Sequence, residues 1–146
     1  MRVKLEICQI EKGCHCFVEA TFKMTKLRLL VDTGASHTIL DNKIWSQLSG
    51  QKEIHITDPL AQVVEEARTV MLGGLQIGKF KVPLLSVCVR SLEKINIEYL
   101  QLDIPPIAGV LGADLLVKTN AIIDLTERKI KFNALQTESH LPAFLF

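Results

Sequence analysis

Apolar and polar residues alternate near the start of the chain with the two-residue period of β-strands. Val3, Leu5 and Ile7 are separated by charged or polar residues, which predicts a half-buried strand. A second strand is expected over residues 14–22, and a mostly apolar run over residues 27–31 predicts a third, buried one. Short turn segments separate these stretches, so we expect the three strands to form a meander.

The next stretch changes to the spacing of a helix. Ile44, Trp45 and Leu48 recur on one helical face, which predicts a short amphipathic helix. Asp41 is placed to cap its N-terminus, and Gly50 is placed to end it. Because its apolar neighbours share the same face, Trp45 is interpreted as a core residue and not as a substrate contact.

Glycines mark further strands in the second half of the chain. Residues 75–77 and 80–89 are two apolar-rich stretches next to glycines, and both are expected to be strands. Residues 121–124 and 129–132 are short apolar stretches joined by a polar turn, which predicts a hairpin near the end. The order of elements indicates a mainly β fold that curls on itself, with two or three short helices.

Two of those helices fall between the later strands. After residue 90, apolar residues recur three or four positions apart at Leu92, Ile95, Tyr99 and Leu102. Ser91 can cap this helix, and the Pro105-Pro106 pair forbids its continuation. Another short helix is expected over residues 113–118, directly after Gly112. Asp114 lies in its first turn, where a carboxylate meets unpaired amide groups, so we interpret Asp114 as structural.

Composition narrows the classes of function. With 146 residues, 48% of them hydrophobic, the chain is expected to be one domain (1–146), with its core over about 2–133 and an apolar tail over 134–146. A net charge of +1 without charged blocks argues against nucleic acid or an anionic membrane as partners. No apolar run approaches the roughly 18 residues of a membrane span. Lys4 and Glu6 interrupt the N-terminus, which is therefore no signal peptide, and a cytoplasmic location is expected.

The cysteines are expected to be reduced thiols in that location. Cys14, His15 and Cys16 place three possible metal ligands together, with Cys8 nearby. Structural zinc sites usually leave at least two residues between paired cysteines, and strand alternation puts His15 on the face opposite its neighbours. Core thiols are the preferred interpretation, and no metal or other cofactor is expected.

A tight turn between two apolar runs carries the candidate chemistry. Asp32 supplies a carboxylate at the end of a stiff, buried strand, where it can act as an acid or a base. Thr33 offers a hydroxyl that both donates and accepts hydrogen bonds. Gly34 permits a sharp fold and the close approach of another chain or a substrate, and Ala35 leaves room beside the carboxylate. The same tripeptide also fits an ordinary loop with a capping aspartate, so its context matters.

The context includes a second motif far along the chain. The sequence Ile-Ala-Gly-Val-Leu-Gly at residues 107–112 places two bulky apolar residues before Gly112, which opens a helix. Together with Asp-Thr-Gly-Ala at residues 32–35, this motif resembles the retropepsin-like aspartic proteases, especially the small single-domain bacterial ones. The resemblance implies a closed, mainly β barrel with a flap hairpin over the cleft. It also implies a catalytic Asp32, supported by Thr33, Gly34, Ala35 and Gly112.

The flap is placed by resemblance alone, within residues 54–70. Residues 61–72 have extended character, but they contain neither a glycine at a tip nor a nearby aromatic residue. Ile56, Val63 and Val64 are the candidate substrate contacts of the flap. An ordinary surface hairpin remains an equal alternative for this segment.

The resemblance also implies a mechanism that needs two chains. Two carboxylates that share one proton can activate water and protonate the substrate carbonyl. This chain contains a single Asp-Thr-Gly, so a homodimer would supply Asp32 twice and bind an extended peptide in its cleft. The expected activity is an aspartic endopeptidase that acts on peptide or protein substrates. The alternatives are a catalytically idle dimerisation or peptide-binding module of the same fold, and a structural barrel with a fortuitous motif.

Two positions depart from the retroviral pattern. Retroviral proteases usually place an acidic residue and an arginine at the positions of Ser36 and Ala113, where they pair near the dimer interface. Both partners are absent here, which fits the bacterial or pepsin-like variant and leaves the dimer contacts open. The apolar tail after Ser139 can pack on a partner subunit or on its own barrel. His37 shows no pairing that indicates catalysis.

Overall fold

The computed structural model describes residues 1–11, 13–50 and 68–133. Within them the strands are β1 (Arg2–Lys4), β2 (Glu6–Ile10), β3 (Gly13–Phe22), β4 (Thr25–Val31), β5 (Ile39–Asp41), β6 (Arg68–Leu72), β7 (Gln76–Ile77), β8 (Phe80–Lys81), β9 (Leu85–Arg90), β10 (Gly109–Leu111), β11 (Ile122–Asp124) and β12 (Lys129–Lys131). The helices are α1 (Asn42–Ser49), α2 (Glu93–Gln101) and α3 (Ala113–Lys118). The mainly β class with three short helices is confirmed.

The N-terminal strands form most of the predicted meander. Strands β2, β3 and β4 pair antiparallel in sequence order, with Cys16 of β3 opposite Val31 of β4. Strand β1 is different, because it pairs with β12 in a small second sheet of order β1-β12-β11. The chain changes sheets at Leu5, which is buried and whose N–H donates to the Arg128 carbonyl oxygen at 2.9 Å.

The larger sheet is organised around β10. This strand lies between β4 and β5, parallel to β4 and antiparallel to β5. It can approach both because Gly109 has no side chain: a Cβ there would lie 2.5 Å from the Ile39 carbonyl oxygen. Strands β4 and β5 flank the Asp-Thr-Gly turn in sequence, so β10 brings the second motif directly beside the first.

The core consists of two hydrophobic clusters on opposite faces of the meander. The larger one contains Val18, and the smaller one contains Phe17, its neighbour in sequence. Phe17 and Val18 are 0% and 2% exposed, so β3 is buried on both faces. The smaller cluster comprises Phe17, Leu30, Leu92, Tyr99, Ile107 and Val110. Since Leu92 and Tyr99 belong to it, α2 covers this face of the sheet, and burial of each such side chain contributes about 1.5–3 kcal/mol to stability.

Helix α1 begins and ends as the local sequence predicts. The Asp41 carboxylate accepts a hydrogen bond from the N–H of Ile44, and Gly50 ends the helix with a left-handed φ of 73°. The buried Trp45 side chain confirms its interpretation as a core residue. Asp41 has a second role, because its other oxygen accepts a hydrogen bond from the Leu92 N–H at 2.9 Å and so fixes the start of α2.

Three predicted boundaries are wrong in detail. The strand expected over residues 80–89 is interrupted between β8 and β9, where Pro83 lacks an N–H for the ladder. Helix α2 begins at Glu93 with Leu92 as its N-cap, one residue later than a Ser91 cap predicts, although the Ser91 hydroxyl accepts a hydrogen bond from the Glu93 N–H at 3.2 Å. It ends before Leu102, which is 45% exposed and does not join the core. Helix α3, β7 and the β11–β12 hairpin agree with their predictions.

None of the helices in the described ranges is long and apolar enough to cross a membrane.

Candidate active site

The Asp32 turn is anchored to β10 at its first residue. The backbone N–H of Asp32 donates to the Leu111 carbonyl oxygen at 3.1 Å, which extends the β4–β10 pairing by one residue. The N–H of Ala35 donates to the Asp32 carbonyl oxygen at 3.1 Å and closes the turn. Asp32, Thr33 and Gly34 are all exposed. The carboxylate of Asp32 is therefore presented to the outside from a backbone that is fixed on both sides.

Gly34 is required for space rather than for an unusual backbone angle. Its N–H donates to Asp32 Oδ1 at 2.9 Å, which orients the carboxylate. A Cβ at this position would lie 3.1 Å from the same oxygen, and the φ of Gly34 lies outside the left-handed region. The sharp turn predicted here is present, and the missing side chain leaves the face of the Asp32 carboxylate open.

Ala35 and Gly112 lie where the two motifs meet. The carbonyl oxygen of Ala35 accepts a hydrogen bond from the Ala113 N–H at 2.7 Å, and the Ala35 methyl group packs against the smaller cluster. A Cβ on Gly112 would lie 2.5 Å from the His37 carbonyl oxygen. Two backbones therefore touch here, which explains a glycine before α3.

A buried network joins the segment after the turn to α3. The Thr38 hydroxyl donates to Asp114 Oδ1 at 2.7 Å, and the Thr38 N–H donates to Asp114 Oδ2 at 3.0 Å. The same hydroxyl accepts from the Gly112 N–H at 3.1 Å, and Asp114 Oδ1 also accepts from the Leu115 N–H at 2.8 Å. Asp114 is thus structural, as expected. The role of Thr38 was missed, because its partners lie far away in sequence.

A second polar group lies on the α2 side of the turn. The Tyr99 hydroxyl and Nδ1 of His15 are 2.7 Å apart and share a hydrogen bond. Burial raises the pKa of Tyr99, the Arg28 guanidinium opposes this rise, and the negative charges of Cys8, Asp32 and Glu98 add to it. The alternating pattern gives no indication of this group.

Arg28 crosses the same face of the meander. Its guanidinium lies 3.9 Å from the centroid of the Phe17 ring and donates one hydrogen bond to Glu6 and another to the Cys8 sulfur at 3.7 Å. The hydrogen bond from Arg28 lowers the pKa of Glu6, while burial raises the pKa of the Cys8 thiol. A raised pKa leaves Cys8 protonated near neutral pH and therefore a poor metal ligand or nucleophile.

The structure does not bring every candidate residue to this site. Ile56, Val63 and Val64, the predicted flap contacts, lie outside the described residues. Ser36 and His37 contact each other, with 2.8 Å between the Ser36 hydroxyl and His37 Nδ1. Among the described residues, no three His, Cys, Asp or Glu side chains are arranged to hold a metal ion. The candidate site is therefore the Asp32 turn with the residues that brace it.

Comparison with known protein families agrees with this geometry. The family model described as aspartyl protease matches residues 18–115, more than half of the chain, and includes both motifs. The chain belongs to the aspartyl protease family. The retropepsin-like resemblance implied by the Asp-Thr-Gly-Ala turn and the Gly112 motif is thereby confirmed. No curated protein sequence matches the chain significantly.

Solved structures show the same fold for this aspartyl protease family member. A retropepsin-like aspartic protease from Rickettsia conorii is 22% identical, with a TM-score of 0.53 over 94% of this chain and 92% of that chain. The retroviral protease-like domain of Ddi1 from Leishmania major is 14% identical, with a TM-score of 0.54 over 86% of this chain and 96% of that chain. At these identities the likeness establishes the fold.

Proposed function

We propose that the chain is an aspartic endopeptidase that works as a homodimer, with Asp32 of each subunit forming the catalytic pair. The observation that carries this proposal is the state of the Asp32 carboxylate. It is exposed, oriented by the Gly34 N–H, and mounted on a turn fixed by Leu111 and closed by Ala35. A carboxylate held rigidly at the surface, whose other oxygen bonds to none of the residues that the structure describes, is suited to meet a second one.

The chemistry follows from two such carboxylates about 3 Å apart, which cannot both ionise and so share one proton. The ionised carboxylate takes a proton from water as the water attacks the peptide carbonyl carbon. The protonated carboxylate donates its proton to the carbonyl oxygen, and a tetrahedral diol results. The carboxylate that is now protonated donates its proton to the amide nitrogen, and the other takes a proton from one diol hydroxyl. The C–N bond breaks as the carbonyl re-forms, and the pair again shares one proton without a covalent intermediate.

A second copy of the chain is the simplest source of the second carboxylate. The sequence contains one Asp-Thr-Gly, and a two-fold axis beside the turn would bring the same turn from a partner. Thr33 is exposed next to Asp32, so its hydroxyl is available to brace the pair across that axis. The substrate would then be a peptide or protein segment lying in the cleft between the two turns.

The alternative is a catalytically idle module of the same fold that binds peptides or dimerises. It is favoured by one observation at the positions of the retroviral ion pair. Ser36 hydrogen-bonds to His37, and the backbone N–H of Ala113 donates to the Ala35 carbonyl oxygen. The charged contact that braces retroviral dimers is therefore replaced, and dimer stability must come from elsewhere.

The deciding experiment compares wild type with Asp32→Asn on a diverse peptide library, from mildly acidic to neutral pH and at two protein concentrations. Asp124→Asn is the matched control, because Asp124 is also an exposed carboxylate where a strand meets a turn, and it accepts the Glu127 N–H at 2.9 Å. We expect cleavage by wild type and by the control, and none by Asp32→Asn. Activity should rise faster than linearly with concentration where sedimentation shows a monomer–dimer equilibrium.

Other outcomes lead to different conclusions. A wild-type chain that is folded and dimeric but cleaves nothing would favour the idle module. Equal cleavage by wild type and Asp32→Asn would remove Asp32 from the mechanism. A cleaving protein that stays monomeric at every concentration would contradict the shared pair.

A further inference from the structure

His15 and Tyr99 lie beside the Asp32 turn. In the antiparallel pairing of β3 with β4, Cys16 is opposite Val31. His15 and Asp32 are the next residues in this register, so His15, still within β3 and paired with Cys8 of β2, lies across from the point where β4 ends and the Asp32 turn begins. The Tyr99 ring is brought there by α2, and its hydroxyl is 2.7 Å from His15 Nδ1.

The Tyr99 ring fills the space on this side of the turn. It is 2% exposed and packs edge-on against Phe17 and His15, with ring centroids 5.7 and 5.6 Å apart. Leu30 and Ala35, two residues before and three after Asp32, contact the same cluster. The apolar wall that supports the Asp32 turn is therefore already occupied by a side chain of the enzyme.

The electrostatics of Tyr99 agree with a place beside the Asp32 turn. The charge of Asp32 contributes to the raised pKa of Tyr99, after the larger effect of burial. Charge effects of this kind weaken quickly with distance in a solvated site. The register that sets His15 across from Asp32, and the packing of Ala35 on the cluster that contains Tyr99, place the ring on the side of the turn where a scissile peptide bond would meet Asp32.

The helix that carries Tyr99 is tied to the rest of the fold at its start and near its middle. The Asn96 side chain donates to the Ile107 carbonyl oxygen at 3.0 Å and accepts from the Ile107 N–H at 2.8 Å. The start of α2 is held by the Leu92 N–H on Asp41. Because α2 is tied to the sheet in this way, Tyr99 is held in place by backbone contacts as well as by its own packing.

From this arrangement we infer that Tyr99, positioned by His15, limits the substrate subsite next to Asp32 to small side chains. Adjacent Cα atoms are about 3.8 Å apart, so the residues that flank the scissile bond must pass directly over the turn and its wall. With the wall filled, a glycine or alanine fits there, while a leucine or phenylalanine meets the Tyr99 ring. This specificity rests on the endopeptidase function proposed above.

The test measures kcat/KM for two peptide series that differ only at the residues flanking the scissile bond, alanine in one and phenylalanine in the other. We expect wild type to prefer alanine, and Tyr99→Ala to shift the ratio towards phenylalanine by about tenfold or more, the scale of pocket-size discrimination. His15→Ala, at a half-buried position, opens the same wall with less damage to the core and should shift the ratio in the same direction.

Two control variants isolate the effect of the ring. Tyr99→Phe keeps the ring and loses only the hydroxyl contact with His15, so its preference should stay close to that of wild type. Phe80→Ala removes a ring of similar size that stacks on Phe132 at 4.8 Å, on a strand three places from β4 in the sheet. It should leave the preference unchanged, although it lowers stability.

Binding of peptides that cannot be cleaved tests the subsite independently of the proposed catalytic function. The same peptides with a reduced, non-cleavable bond are titrated by fluorescence anisotropy against wild type and Tyr99→Ala. Tighter wild-type binding of the alanine peptide, relaxed in Tyr99→Ala, would support the subsite even if nothing is cleaved, in which case only the catalytic proposal fails. A wild-type preference for phenylalanine, an unchanged ratio in folded Tyr99→Ala and His15→Ala, or no binding of either peptide would overturn the inference.

Discussion

Thr38 and Asp114 are 76 residues apart in sequence, yet the Thr38 hydroxyl and N–H donate to both oxygens of the Asp114 carboxylate. Thr38 is 4% exposed, so this contact is shielded from water. It joins the segment that follows the Asp32 turn to the first turn of α3. The rigidity of the candidate catalytic turn therefore depends on a pair of residues that take no part in chemistry.

Replacement of Thr38 by valine should destabilise the protein by about 1–3 kcal/mol, because the buried Gly112 N–H loses its partner and Asp114 Oδ1 loses one of its two donors. Equilibrium unfolding in urea measures this change. Thr38→Ser keeps the hydroxyl and should retain most of the stability. A Thr38→Val protein as stable as wild type would show that water or other groups replace the lost hydrogen bonds.

Gly112→Ala should destabilise the fold by about 1–3 kcal/mol or more, since a Cβ would lie 2.5 Å from the His37 backbone oxygen, which cannot rotate away. The backbone angles of Gly112 suit any residue, so the effect is purely steric. Gly13→Ala is the matched control, because its Cβ would meet its nearest neighbour at an ordinary 3.8 Å. Thermal unfolding of both variants checks the difference, and equal midpoints would refute this explanation.

Asp41→Ala should lower stability by about 1–3 kcal/mol, because one partly buried carboxylate caps α1 and also holds the Leu92 N–H. Asp41→Asn retains an acceptor oxygen and should lose less. The control is Ser91→Ala, which removes a single exposed hydrogen bond to the Glu93 N–H. If chemical denaturation ranks Ser91→Ala as the more harmful change, the double role assigned to Asp41 is wrong.

Tyr99 is the single tyrosine of the chain, so its ionisation can be followed directly by the ultraviolet absorbance of the phenolate. We expect a midpoint above the ordinary pKa of 10.0, caused first by burial, and a lower midpoint in Asp32→Asn, which removes one of the charges that raise it. Asp124→Asn should leave the midpoint unchanged. The same midpoint in wild type and Asp32→Asn would contradict the closeness of Asp32 and Tyr99 on which the subsite depends.

The raised pKa of Tyr99 also makes the stability of the protein depend on pH. The folded protein holds the Tyr99 proton more tightly than the unfolded chain does, so the contribution of the neutral phenol is complete below the unfolded pKa. It is lost as the pH rises from about 10 through the higher pKa of the folded state. Tyr99→Phe has no proton to lose and should unfold at a higher alkaline pH than wild type.

Local signals explain which parts of the fold were predictable. Asp41 and Gly50 sit at the ends of one helix, and cap chemistry acts over three or four residues, so α1 could be delimited from sequence. Pro83 interrupts a strand through its missing N–H, a signal that was present but outweighed by the apolar run around it. Leu102 matched helical spacing, yet α2 ends one residue earlier and leaves it exposed.

The candidate site was predictable only as far as its motifs. Asp32 and Gly112 could be paired because each belongs to a recognisable short pattern. The Thr38–Asp114 and His15–Tyr99 contacts could not, since each joins residues 76 or 84 positions apart that follow ordinary patterns on their own. Such contacts depend on strand order, and the insertion of β10 between β4 and β5 has no local signature.

The position of β10 between β4 and β5 also determines when the site can form during synthesis of the chain. The strand that supports the Asp32 turn is contributed by Gly109–Leu111, so a nascent chain that ends before these residues lacks the backbone partner of Asp32. Long-range pairings of this kind form late and slowly, because a long loop must close first. A ribosome-bound fragment therefore carries the Asp-Thr-Gly sequence without a rigid site. The topology delays assembly of the candidate site until the second motif, about 80 residues after Asp32, has been synthesised.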